Sequence, residues 1–506
     1  MYVQYKLGGS TMATMTETIQ NTDVKRPPYG IITVLMIGAF IAFLNNTLLN
    51  IALPSIMTDL SVKPATVQWL TTGFMLVNGV LVPMSAYFIQ KYSVRRLFLV
   101  AMGIFALGTF VAGMAPNFAL LLTGRMMQAA GTAIMMPLLM NVMLVSFPIE
   151  KRGTVMGMFG MIMMAAPAIG PTLSGWIVEH YEWRMLFHFV WPIALTVFGI
   201  GFLLLKDKKE KVNLKLDLVS LALSSIGFGG VLFGFSSAGN AGFDSPRVYL
   251  PILVGVVALV TFIRRQNGQE KPMLNFGVYR YPMFALSSAI SMVLNMAMFS
   301  GMLLLPIYVQ TIRGISPMDA GLMLLPGALV MAFMSPVTGR LFDKFGGRML
   351  AIIGLTIMVV TTYQFSTLTT ETPYFYLMSL HAVRMFGITM VMMPVSTNGL
   401  NQLPRKFYPH GTAMNNTLNQ LSGAIGTALL VTIMSIQTEK YLSGMVQGGA
   451  VADPSVIEEF SLLAMLEGIN DAFFVATCIA LVSLGLSFFI KRARPADEEE
   501  KDKEAA

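Results

Sequence analysis

Residues 339–348 read Gly-Arg-Leu-Phe-Asp-Lys-Phe-Gly-Gly-Arg, a charged stretch flanked by the apolar runs 320–341 and 349–367. A hydrocarbon core about 30 Å thick takes about 20 helical residues to cross, so each run can span a membrane and the charged stretch turns the chain between crossings. Gly339 permits close approach of another helix, and Gly346 permits a tight turn. Asp343 can accept hydrogen bonds from a helix N-terminus and from Arg348, which would latch this end of the bundle shut.

Runs of the same kind recur along the chain, and fourteen are predicted: 31–53, 67–89, 97–115, 118–141, 154–178, 185–205, 217–236, 247–265, 283–309, 320–341, 349–367, 374–400, 411–435 and 472–490. The composition agrees, with 55% hydrophobic and 12% charged residues against about 25% charged in soluble chains. Of the 34 Lys and Arg residues, 27 fall on the set of connections that includes 340–348 and both termini, and five on the opposite set. By the positive-inside rule both termini are cytoplasmic. The net charge of +8 is therefore a topology signal; dispersed over short segments, it gives no support to nucleic-acid binding. The lone Cys478 excludes a disulfide framework and a cysteine metal site, and no cofactor or metal is expected. Residues 1–30 lack the apolar core of a signal peptide and read as a cytoplasmic tail, with Met12 or Met15 as an alternative start.

The remaining two basic residues, Arg125 and Arg384, are the only charged side chains deep inside apolar runs. At the bilayer centre an arginine costs roughly 2.5–3.5 kcal/mol on the insertion scale, so it marks function. The pair also belongs to an internal repeat: Pro54 matches Pro306, Pro83 matches Pro336, Pro137 matches Pro394, and Gly153-Thr154 matches Gly411-Thr412. The architecture expected is all-α and polytopic. A six-span half (31–205), a linker with two extra spans at 217–236 and 247–265 (206–282), and a second six-span half (283–490) follow one another. An external loop at 436–471 interrupts the second half, and a charged cytoplasmic tail (491–506) ends the chain. Parallel halves facing each other across a membrane are a transporter architecture, with the substrate near the midplane.

The stretch 339–348 resembles the G-x-L-x-D-[RK]-x-G-[RK]-[RK] loop of the major facilitator superfamily. Its first-half copy at 86–96 is eroded, with Gln90 in the Asp position and Ser93 in a Gly position. Arg125-Met-Met-Gln128-Ala-Ala-Gly131 resembles the R-x-x-Q-G-x-G motif. The segment holding Gly170, Pro171 and Gly175 resembles the antiporter motif g-x-x-x-G-P-x-x-G-G, in which small residues pack tightly and the proline lets the helix bend. Over about 30–490 the chain is similar to the fourteen-span drug/proton antiporter branch, which includes lincomycin and multidrug exporters of Gram-positive bacteria. The resemblance implies two six-helix halves plus two central helices in a bacterial cell membrane. It also implies monomeric export of small amphipathic compounds in exchange for protons.

The chain departs from that branch in the first span, where Leu44-Asn45-Asn46-Thr47 places Asn45 at the position of a proton-carrying Asp. An amide does not titrate in the relevant range. No Asp or Glu lies in the middle of any span, which leaves His381, one turn from Arg384, or the substrate's own charge to couple transport. Asn46, Asn50, Asn78, Gln128, Asn295 and Asn398 are further pocket candidates, because the resemblance puts the first and fourth helices of each half around the cavity. Methionines such as Met135, Met163 and Met390 suit a pocket that re-packs around apolar ligands, among them membrane lipids. Translocation of a lipid or lipid-like metabolite without proton coupling is the second reading. A membrane enzyme or receptor is the third: four dispersed histidines supply no catalytic constellation, and no phosphate-binding loop or sizeable soluble domain is present.

Overall fold

A computed structural model of the chain describes residues 29–62, 64–67, 69–206, 217–447 and 454–493. The expected tails 1–30 and 491–506 lie almost wholly outside the described residues, as do parts of the linker and of the stretch 436–471. The described residues form fourteen long helices. The first half holds α1 (Tyr29–Asp59), α2 (Trp69–Lys91), α3 (Val94–Gly113), α4 (Phe118–Ser146), α5 (Ile149–His180) and α6 (Met185–Leu204). The linker pair is α7 (Leu218–Ala241) and α8 (Pro246–Asn267). The second half holds α9 (Pro282–Ile307), α10 (Pro317–Phe345), α11 (Gly347–Gln364), α12 (Tyr374–Gln402), α13 (Tyr408–Gln447) and α14 (Pro454–Ser487). Twelve of them are long and apolar enough to cross a membrane.

Local chemistry sets several helix starts. Ser93, Asn117 and Ser316 accept from the backbone N–H three residues on, and Asp217 accepts from Val219 and Ser220. Asp217 also receives Nε of Arg265 at 2.8 Å, which braces α7 to α8. The Arg265 guanidinium holds the Asp217 carboxyl below the usual carboxylate range. At the turn between α10 and α11, Gly346 has φ +79°, a conformation that favours glycine.

Within the stretch 436–471, expected as an external loop, α13 runs to Gln447 and α14 starts at Pro454. The sequence offers no breaker between Gly426 and Gly444 and no proline before Pro454, so one helix continues through residues that were too polar to read as a span.

The two halves meet along two seams related by the repeat, one between α5 and α10 and one between α2 and α13. They are not alike. Helix α7 packs against both α2 and α13, so the linker pair occupies the flank of the second seam. Phe235, Ala238, Val248 and Ile252 of the pair form an apolar cluster with Ala428 there. The α5–α10 seam is the more extensive and is backbone on backbone. A side chain at Gly157 would stand 2.5 Å from the Ser335 carbonyl oxygen, and one at Gly339 would collide with the Gly153 carbonyl. We predict that Gly157→Leu holds this seam apart and lowers transport at least tenfold, measured per transporter reaching the membrane.

Candidate functional site

In the first half, four helices converge on Arg125 of α4, which is 1% exposed. Its Nη1 donates to Gln128 Oε1 at 2.9 Å, and its Nη2 donates to Asn46 Oδ1 of α1 at 3.2 Å. The Phe74 ring of α2 covers the guanidinium, with its centroid 4.5 Å away. Gln128 Nε2 donates to Thr109 Oγ1 of α3 at 2.8 Å and lies 3.5 Å from Asn45 Oδ1. Four expected site residues, Asn45, Asn46, Arg125 and Gln128, are thus one network. Asn78 stays apart, buried and bonded to the Phe74 carbonyl one turn back at 3.0 Å. The side chains of Asn50 and Pro171 lie outside the described residues.

Arg384 of α12 is the counterpart in the second half and is fully buried. Nε donates to Thr362 Oγ1 at 3.1 Å, and Nη2 donates to the Ala297 carbonyl at 2.9 Å. Thr362 stands to Arg384 roughly as Thr109 stands to the Arg125–Gln128 pair. His381 is 4% exposed and packs against Gly327 of α10, with no partner for Nδ1. Asn295 bonds within α9 to the Ser291 carbonyl at 2.7 Å and across to Asn419 of α13 at 3.0 Å, so it ties helices together. Met135, Met163 and Met390 are buried packing side chains.

The antiporter-like segment of α5 clamps the part of α1 beside the arginine network. Gly170 lies against Thr47, whose Oγ1 donates to the Ala166 carbonyl at 3.3 Å; Ser174 Oγ donates to the Leu48 carbonyl at 2.6 Å. Gly175 has nothing within 4 Å of the place a Cβ would take, so close approach does not require it.

A second cluster joins the halves at the end of the bundle where the basic loops lie. Asp343 accepts from the backbone N–H of Gly153 and of Thr154, both at 2.8 Å, and from Thr154 Oγ1 at 2.6 Å. The carboxylate therefore bonds amides in the second turn of α5, at the fifth and sixth residues of that helix. The expected partner Arg348 is exposed. Arg492 reaches this residue instead, but at its backbone carbonyl (2.8 Å) and not at the carboxylate. The reason is geometric, since Gly346 turns the chain away before Arg348 can fold back. Asn398, expected in the pocket, lies at this end too: its Nδ2 donates to the Lys491 carbonyl at 2.9 Å, and its Oδ1 accepts from Ala493 N–H at 3.1 Å.

The matching contact at the other seam uses residues that motif reading missed. Gln90, in the eroded Asp position, meets His410 at 3.1 Å, and His410 Nδ1 accepts from the Asn275 N–H at 3.1 Å. Arg152 donates to Asn401 Oδ1 across the halves at 3.1 Å and lies over the Tyr408 ring. The repeat offers the signal that finds this pair, because His410 and Arg152 directly precede the matched Gly411-Thr412 and Gly153-Thr154.

Comparison with known proteins agrees with this anatomy. Residues 35–427 match the model of the Major Facilitator Superfamily. The chain is 46% identical to the uncharacterized MFS-type transporter YhcA of Bacillus subtilis, covering 94% of this chain and 95% of that protein. It is 44% identical to the lincomycin resistance protein LmrB of the same organism, covering 91% and 95%. The structure of the human organic anion transporter MFSD10 (TETRAN) superposes with a TM-score of 0.64, covering 92% of this chain and 100% of that one; at 14% identity it speaks for the fold alone. Two helical halves joined by paired seams, a buried arginine in the fourth helix of each, and a family match across both halves lead to one assignment: this chain is a multi-pass membrane transporter of the major facilitator superfamily.

Proposed function

We propose that the chain exports amphipathic small molecules across a bacterial cell membrane by alternating access, with fourteen spans, both termini cytoplasmic, and proton exchange as the driving force. The observation that carries this reading is the Asp343 lock. Three hydrogen bonds hold the halves together at the basic end, and all of them are polar contacts at a partly exposed site. Such contacts exchange for water at modest net cost, so the seam can open and close. With that end cytoplasmic, the described arrangement is closed toward the cytoplasm. The similarity to a lincomycin resistance protein over nearly the whole chain supports drug-like cargo. Asn45 gives the coupling no carboxylate, and His381 is the titratable group within the spans best placed to replace it.

Expression in an exporter-deficient host should raise tolerance and efflux for some members of a panel of cationic, neutral and anionic compounds. No shift for any compound would overturn export and favour the lipid reading. Counterflow of a transported compound should accelerate under an imposed pH gradient, and indifference to the gradient would rule out proton exchange.

A further inference from the structure

We propose that the Arg125 network is a binding site for one oxyanion group, a carboxylate or a phosphate, carried by an amphipathic substrate. The inference rests on the export reading and adds the charge of the cargo to it. Arg125 is among the most deeply buried side chains of the protein, yet its partners are neutral: two amide oxygens and a ring face. A cation taken out of water is costly unless an opposite charge and hydrogen bonds offset the loss. Here the hydrogen bonds are partly supplied, and among the described residues no carboxylate reaches the guanidinium.

The unused valences point the same way. Arg125 Nε and Asn45 Nδ2 are both buried, and neither has an acceptor among the described residues. They belong to one network, because Gln128 accepts from Arg125 and meets Asn45. What the site lacks is therefore negative charge together with acceptor atoms, and an oxyanion supplies both. An ammonium ligand supplies neither and would be repelled by the guanidinium. A neutral amide brings one acceptor oxygen and leaves the charge uncompensated. Phe74 closes over the guanidinium in this arrangement and is the side chain a ligand must displace.

A carboxylate at position 45 would provide the missing charge from within the chain, so Asn45→Asp is the discriminating variant. The test uses the full-length transporter in lipid nanodiscs and four probes sharing one tail: 4-phenylbutyrate, 4-phenylbutyl phosphate, 4-phenylbutyramide and 4-phenylbutylamine. In the unmodified protein, at least one of the two anions should bind tenfold or more tightly than the amide and the amine, by equilibrium binding and thermal stabilisation. The preferred anion then names the group. Asn45→Asp should weaken anion binding at least tenfold while leaving amide binding within about threefold. No preference for either anion in the unmodified protein would overturn the proposal even if the variant fails to fold; so would undiminished anion binding by Asn45→Asp. In proteoliposomes, anion binding without transport removes the export reading and leaves the site standing. Transport of the amine and amide with no anion preference removes the site and leaves export standing.

Discussion

Arg125→Ala is expected to lower transport at least a hundredfold while the protein still reaches the membrane. Removing the guanidinium leaves the Gln128 and Asn46 side-chain oxygens without their donor, at about 1–3 kcal/mol for each unsatisfied group. That loss weakens the contact between α1 and α4 locally, and the extensive helix packing around it remains. The site itself loses its charge, and a hundredfold effect corresponds to only about 2.7 kcal/mol. Arg125→Lys keeps the charge but cannot bond both amides in one planar fork, so an intermediate rate is expected. Arg384→Ala should be as severe, because Arg384 ties α12 to Thr362 of α11 and to the Ala297 carbonyl of α9. Efflux normalised to membrane level decides the matter, and full activity in both alanine variants would show that the arginines are structural.

Asp343→Ala is expected to shift the two-state equilibrium toward the form open at the basic end by roughly 2–3 kcal/mol, or about 30- to 160-fold. All three bonds from Gly153 and Thr154 are lost. A cysteine placed at Ser335, which is buried in this seam against Gly160 and nearly isosteric with cysteine, in an otherwise cysteine-free background should then react faster with a membrane-impermeant thiol reagent applied from the side of the basic loops, against the same cysteine with Asp343 intact. Unchanged labelling would show that the backbone seam alone keeps this end closed. Gln90→Ala should have a smaller effect, because its contact with His410 joins two neutral groups and α7 still packs against both sides of that seam.

Much of this was legible in the chain. The crossings follow from runs of apolar residues, since one run per crossing is a local property. The repeat is also local, being carried by glycines, prolines and the arginine of each fourth helix. The partners of the charged groups were less accessible. Arg348 was the expected partner of the Asp343 carboxylate, yet the arginine that reaches Asp343 is Arg492, from the far end of the chain, and it bonds the backbone carbonyl. Asn398 sits on a pocket helix by position but near its end by depth, where it bonds to backbone after α14. Periodicity assigns a residue to a helix without saying which neighbour that face meets, and the neighbours here come from segments more than 90 residues away.

By itself the sequence determined that this protein crosses a membrane many times, is built from two related halves, and keeps two arginines in apolar surroundings at a cost that selects for use. It also carried the superfamily's loop at 339–348 and showed that the carboxylate expected at position 45 is an amide. Only the tertiary structure decided which groups answer those arginines and what holds the halves together. Asn45, Asn46, Gln128 and Thr109 gather at Arg125 because α1, α3 and α4 cross there. Asp343 closes one seam because glycines on α5 and α10 let two backbones touch. Both are matters of helix packing between distant parts of the chain, and a hydrogen bond between such parts leaves no spacing in the sequence to read.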